Sequence, residues 1–207
     1  MRLPSREILF LYLGLSLLLD ILFIVVYGGS NWLTSHRAEH FNLYSSWELD
    51  IPLIPAMIFP YLSISLFFLL PLFVLQRTKM LLLARRMAGA IVIAGAIFNL
   101  VPTELGFQRS LETSAAYPQF QLIYLLDQPH NLFPSLHVAL SSVVLATLLA
   151  CVSTWLRVVF LSWWLLLCLS VILVHQHHLI DIAGGLILAW LVCQLLSYSE
   201  LSELVTD

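Results

Sequence analysis

Apolar positions in this chain follow neither the helical nor the strand period; they run together in long blocks. Six blocks reach or approach the ~20 residues that a helix needs to cross a bilayer. They are Ile8–Tyr27, Ile51–Gln76, Met87–Val101, Phe133–Thr154, Val158–Val174 and Ile182–Tyr198. Lipid offers a backbone no hydrogen-bond partner, so blocks of this length are read as helices. The pattern predicts an all-α, polytopic membrane helical bundle with about six transmembrane helices in one domain, residues 1–207, with no internal repeat and no soluble second unit. Arg2 and Arg6 precede the first block as they would in a signal peptide. Its apolar run is too long for one, and Gly28-Gly29-Ser30-Asn31 is a weak cleavage site, so a retained span is expected.

Few polar or breaking residues interrupt the blocks. Asp20 stands inside the first, where a lone carboxylate marks a functional or paired group, or else a position near the outer interface. Pro52, Pro55, Pro60 and Pro71 predict kinks or a broken start in the second, whose freed backbone groups neighbouring helices can satisfy.

Composition narrows the function classes. The 207 residues are 60% hydrophobic and 10% charged, with 9 Lys plus Arg and a formal net charge of −3. Soluble domains carry about 25% charged residues, and nucleic-acid binders need a basic face, so both classes are excluded. Cys151, Cys168 and Cys193 lie within apolar blocks without paired spacing and are expected to be inert thiols.

The charges also orient the chain. Arg2, Arg6, Arg77, Lys79, Arg85, Arg86 and Arg157 fall on one side of the six spans, and only Arg37 and Arg109 on the other. The positive-inside rule then places both termini in the cytoplasm. His36, His40, His130, His137, His175, His177 and His178 all fall on the opposite, outer side. The chemistry is expected there.

Three stretches carry it. In His130-Asn131-Leu132-Phe133-Pro134-Ser135-Leu136-His137, Asn131 or Ser135 can cap the fourth span and Pro134 suits a first helical position. First-turn amides at such a terminus attract anions such as phosphate, and His137 stands beside them. In His175-Gln176-His177-His178-Leu179-Ile180-Asp181, His177 and Asp181 share a helix face at a separation of four. A carboxylate bonded to one imidazole nitrogen fixes the tautomer and leaves the other as base or nucleophile. His178 to Asp181 is the alternative pair, and Gly184-Gly185 allows close approach of another helix. In the third stretch, Val101 to Arg109, the guanidinium of Arg109 suits a phosphoryl group; a lipid-headgroup anchor is the plainer reading. Zinc ligation by the histidines and aspartate fits none of the common spacings, so no metal is expected.

Taken together, the stretches resemble the type-2 phosphatidic acid phosphatase superfamily, whose pattern is K-x6-R-P, P-S-G-H and S-R-x5-H-x3-D. Pro134-Ser135-Leu136-His137 is similar to the second motif with Leu for Gly, His177-x3-Asp181 to the end of the third, and Arg109 stands at the first motif's arginine. The resemblance covers about residues 87–198. Pro102 replaces the first motif's lysine, Ser110 its proline, and Val171 the third motif's arginine, while Ser170 is in place. The Phe-Pro-Ser-Leu-His and His-Gln-His-His wording is nearest the inositol phosphorylceramide synthase-like branch, to which the sphingomyelin synthases are related. In that branch a phosphodiester headgroup passes to a hydroxyl acceptor.

The resemblance implies a metal-independent lipid phosphatase or phosphotransferase without cofactor. His177 would be the nucleophile that forms a phosphohistidine, Asp181 its orienting carboxylate, and His137 the general acid and base. Arg109, Ser135, His178 and His175 would bind the substrate, a lipid phosphate or phospholipid. A bacterial inner membrane with the site facing the periplasm or exterior is the expected location. The rival is a non-catalytic lipid-binding or transporter-like protein, against which the histidines cluster at span ends and not at mid-span.

Overall fold

The computed structural model describes residues 3–109 and 111–196; Arg2, Ser110 and Tyr198, on which parts of the reading above rest, lie outside the described residues. Among the described residues every regular element is helical, apart from one isolated parallel bridge between Phe41 and Thr103.

The first apolar block folds as α1 (Arg6–Phe23), whose N-cap Ser5 accepts the Ile8 N–H. It runs through a π-helical turn at Ile24–Gly28 into α2 (Gly29–Ser35), making one 30-residue rod. The glycines expected to end this span therefore lie inside it. Ser30, Asn31 and Thr34 are buried in α2 and bonded to other segments, which carries the helix past the apolar block.

The second block breaks where prolines crowd it. A 3₁₀ turn at Pro55–Met57 leads into α3 (Ile58–Leu62) and α4 (Ile64–Val74). At the joint the Ser63 hydroxyl donates to the Pro60 carbonyl (2.6 Å) and accepts from the Trp163 indole (2.8 Å). Pro71 lies within α4 without ending it.

Next comes α5 (Arg77–Leu100), which starts at Arg77 and not at Met87. The basic residues expected in a loop thus ride on its first turns. Two short helices that the apolar blocks did not mark follow, α6 (Leu111–Ala116) and α7 (Pro118–Leu126), and then α8 (Leu136–Leu149), α9 (Thr154–Leu173) and α10 (Leu179–Leu195). Arg86 explains the early start of α5: its Nε and Nη2 donate to the carbonyls of Leu196 and Cys193 at 3.0 and 3.2 Å. A cation is thereby set on the otherwise unsatisfied C-terminal carbonyls of α10.

Helix α8 is the hub, packed against α4, α5, α9 and α10. Phe67 of α4, Ile91 and Phe98 of α5, Val143 and Leu148 of α8, Leu167 of α9 and Val192 of α10 form the core. α10 packs against the entry of α8 at its two glycines. A Cβ on Gly185 would stand 2.6 Å from the Ser135 carbonyl oxygen, and one on Gly184 would strike the Phe133 ring. On the outside, α1 has no buried residue, and Phe10, Leu17, Leu18, Trp155, Ile187 and Trp190 are exposed. Such an apolar exterior belongs in lipid. Four helical stretches are long and apolar enough to cross a membrane by length and composition: Arg6–Ser35, Pro55–Val74, Arg77–Leu100 and Thr154–Leu173. α8 and α10, at 14 and 17 residues, are shorter. Between α1, α4, α5 and α8 lies a mostly apolar cleft of about 400 Å³ that includes Leu19, Asp20, Phe23, Phe68 and Leu140 in its wall.

Candidate active site

The N-termini of α8 and α10 are stitched together. Ser135 caps α8, its Oγ accepting the Val138 N–H at 3.4 Å, and its own N–H donates to the Asp181 carbonyl at 3.0 Å. Pro134 therefore precedes the cap and is not the first helical residue. Asn131 caps nothing: its amide donates to the Tyr27 carbonyl and accepts from the Thr34 hydroxyl. Ser135 is fully buried, with its hydroxyl engaged in the cap.

At α10 the Asp181 carboxylate reaches back to the His178 backbone N–H at 2.8 Å, which satisfies one orphan donor of the terminus. His177 precedes the N-cap of α10 and so is not on the helix face that the spacing predicts, yet it meets the same carboxylate, with 3.4 Å between Nδ1 and Oδ2 but without the alignment of a hydrogen bond. Nδ1 thus faces the carboxylate, and Nε2 is the uncommitted nitrogen of His177. His137 lies in the first turn of α8, stacked on Tyr61 with ring centroids 4.4 Å apart and within electrostatic reach of His177. Its Nε2 is buried without a hydrogen-bond partner.

Arg109 enters from the segment after α5. Its Nη1 donates to the carbonyls of Asp127 (2.7 Å) and Tyr124 (3.3 Å), and the guanidinium lies 4.8 Å above the Tyr124 ring. Its Nε is buried and unpartnered. The Asp127 carboxylate accepts from the Tyr27 hydroxyl (2.6 Å) and the Asn31 amide (2.8 Å). Burial raises the Asp127 carboxyl above its usual 3.8, against the Tyr27 bond and the nearby His177 and Arg109.

The rings of His175 and His178 belong to a four-ring stack that borders this cluster. The order is His175, Phe107, His178, Tyr44, with centroid separations of 3.9, 4.6 and 4.4 Å. His178 Nε2 accepts the Gly106 N–H at 3.1 Å, and its Nδ1 lies 3.5 Å from Glu48 Oε2. The same Glu48 oxygen accepts the Leu179 N–H, and the other accepts from Ser45. Burial lowers the pKa of His178 below 6.5, opposed by Asp181 and Glu48. His175 takes a left-handed φ of 56° where the chain turns from α9 toward α10, and its Nε2 meets the Ile51 carbonyl at 2.9 Å. Burial lowers its pKa as well, with that bond opposing. His130 stacks on His40, and burial together with that neighbour lowers its pKa.

The structure thus gathers His177, Asp181 and His137, sets Ser135 in the helix cap beside them, holds Arg109 at Asp127, itself near His177, and gives His175 and His178 protein partners in the stack. Asp127, Glu48, Tyr27, Tyr61 and Phe107 are additions that sequence spacing did not single out. Phe107 lies within the Arg109 stretch and Asp127 just before His130, whereas Tyr27, Glu48 and Tyr61 are distant in sequence and carried no signal. Of the first-loop aromatics, Tyr44 packs inward while Trp32, Phe41 and Trp47 are exposed. Among the described residues no set of three His, Cys, Asp or Glu side chains converges as metal ligands do.

The sequence model described as the PAP2 superfamily matches residues 88–202, more than half of the chain. No curated protein and no solved structure matches it.

Proposed function

The chain belongs to the PAP2 superfamily, and on that premise we propose that it is a membrane phosphohydrolase or phosphotransferase acting on lipid phosphate or phosphodiester headgroups through a phosphohistidine. The observation that carries this reading is the meeting of His177, Asp181 and His137 at the stitched N-termini of α8 and α10, with Arg109 held at Asp127, a neighbour of His177.

Nε2 of His177 attacks phosphorus while Nδ1–H faces Asp181, whose charge stabilises the imidazolium that forms. Protonated His137 gives its proton to the leaving oxygen, then takes one from the incoming water or alcohol as it cleaves the phosphohistidine. Arg109 stabilises the charge on the non-bridging oxygens. Arg109 supplies the one guanidinium described at the site, where the superfamily pattern has three cations. A phosphodiester carries one negative charge and a monoester nearly two. The sparse charge favours transfer of a phosphodiester headgroup to a hydroxyl, as in the inositol phosphorylceramide synthase-like branch.

The chain crosses the membrane six times with both termini cytoplasmic, α8 being a short span at the protein-packed centre and α10 a short span with one face outward. Arg86, bound at the far end of α10 from His178, sets the basic cluster opposite the site in support of this orientation. The site then faces the outer side, the periplasm in a bacterial inner membrane. The apolar cleft between α1, α4, α5 and α8 suits the chain of a lipid substrate.

The test is activity of the purified protein in detergent with a chelator present. Phosphatidic acid, undecaprenyl diphosphate and phosphatidylglycerol are offered with and without a hydroxyl acceptor, beside His177→Ala. A new phosphodiester lipid without free phosphate, lost in the variant, is the expected result. Phosphate release lost in the variant would make the enzyme a phosphatase. Equal silence of both proteins would overturn the catalytic reading, and loss of activity on chelation would overturn the metal-free mechanism.

A further inference from the structure

Arg109 is anchored by a chain of contacts that leaves the matched region altogether. Its Nη1 sits on the carbonyls of Tyr124 and Asp127, at the C-terminus of α7. Helix C-terminal carbonyls lack intrahelical partners, so a guanidinium fits there. A free arginine side chain carries about 2 kcal/mol of rotamer entropy, and this perch removes part of that freedom. It also directs the group: Nη1 is spent on protein, while Nε is buried without a partner and remains for an anionic oxygen.

The perch is itself held from the first span. Asp127, the C-cap of α7, takes the Tyr27 hydroxyl and the Asn31 amide on one carboxylate oxygen. Further along the same segment, Asn131 donates to the Tyr27 carbonyl and accepts from Thr34. The π-turn and α2 that supply these groups are bound in turn to α5. The Ser30 hydroxyl donates to the Gly95 carbonyl, the Asn99 amide donates to Ser30, and Val26 fills the space that a Cβ on Gly95 would need.

We propose that Asp127 is a positioning residue: with Tyr27 and Asn31 it forms a clamp that fixes the Arg109 guanidinium on the C-terminus of α7, making the first span part of the anion site. The proposal rests on the reading of Arg109 as the anion-binding group. The clamp works through two accepted hydrogen bonds and one backbone carbonyl. Asparagine at 127 can keep all three, and alanine keeps only the carbonyl.

The probe is orthovanadate, followed by the rise in thermal midpoint of the full chain in detergent, alongside turnover of the lipid substrate. Asp127→Ala weakens vanadate binding and raises KM by about tenfold, the scale expected for a misplaced binding group. Asp127→Asn recovers most of the loss. Tyr27→Phe, which removes one donor and tests the clamp without emptying it, gives an intermediate loss. In an Arg109→Ala background, Asp127→Ala adds little, because the group it positions is gone. Equal losses in both backgrounds, or unchanged vanadate binding in Asp127→Ala and Tyr27→Phe, would overturn the clamp alone. A wild-type protein that neither responds to vanadate nor turns over any lipid phosphate would overturn the proposed function and the clamp with it.

Discussion

The backbone N–H of Gly106 donates to Nε2 of His178 across 3.1 Å, joining the segment that carries Arg109 to the residue beside His177. An imidazole that accepts at Nε2 carries its proton on Nδ1, here 3.5 Å from the Glu48 carboxylate. Protonation at Nε2 would eject the Gly106 bond inside a stack with Phe107 and Tyr44.

Stability should therefore depend on pH with a definite sign. His178, His175 and His130 all have pKa values lowered by burial from 6.5, so the unfolded chain binds protons more readily than the folded one. Their contribution is complete above about pH 6.5 and is lost as pH falls from there through the lowered values. Asp127, shifted upward from 3.8, acts in the opposite sense, losing stability as pH rises through its own range. Thermal midpoints in detergent should be level above about pH 7 and fall below 6.5. His178→Gln, which keeps an acceptor for Gly106, should flatten that fall. An equally steep profile in the variant would remove His178 from the explanation.

Kinetics should separate the histidines. His177→Ala should lower kcat by about 10³-fold or more, and Asp181→Asn by about 10²-fold or more while keeping an acceptor for the His178 N–H. His137→Ala should cost about 10²–10⁴-fold on an alkyl phosphoester and far less on a nitrophenyl ester, whose leaving group needs no proton. Equal losses on both esters would remove His137 from the acid role.

The two glycines of α10 should differ in tolerance. A methyl at 185 meets the Ser135 carbonyl at 2.6 Å and Val138 Cβ at 3.0 Å, and backbone cannot step aside as a side chain can. Gly185→Ala should cost about 1–3 kcal/mol and separate His177 from His137, lowering kcat. Gly184→Ala presses on the Phe133 ring, which can rotate, and should be the milder variant by both thermal melt and rate.

Arg86 tests stability apart from chemistry. Arg86→Ala uncovers the C-terminal carbonyls of α10 and should cost about 0.5–1.5 kcal/mol, with kcat per folded molecule unchanged. Arg86→Lys should recover only part, since an ammonium cannot span both carbonyls as the guanidinium does.

How much of this was legible in the sequence depends on contact range. The His177–Asp181 pair lies within five residues at one helix entry, so spacing revealed it although His177 stands just outside the helix, and the Ser135 cap and His137 need only one first turn. The clamp and the ring stack join residues far apart in the chain: Tyr27 to Asp127, Gly106 to His178, Glu48 to Leu179. No local pattern encodes such pairings. Element boundaries failed for a related reason. Apolar runs mark where lipid or core is, but Arg86 on α10 and Thr34 on Asn131 extend helices beyond those runs through tertiary bonds. The lipid-facing and core-facing sides of α1 are both apolar, which hides its phase altogether.

That phase is set at Ile24–Gly28. A π-helical turn holds about one residue more than an α-helical turn, so it rotates everything after it by about 100° relative to an unbroken helix. Before the turn the rod shows lipid its Phe10, Leu17 and Ile21; after it, Ser30, Asn31 and Thr34 face inward. The bulge is a rotary offset between an anchor and a wall of the site. Drawing the bulge back into regular α-helix with every residue kept would swing the amide of Asn31 and the hydroxyl of Thr34 off their partners and toward hydrocarbon, whereas deleting one residue within it would cancel the offset and leave them in place.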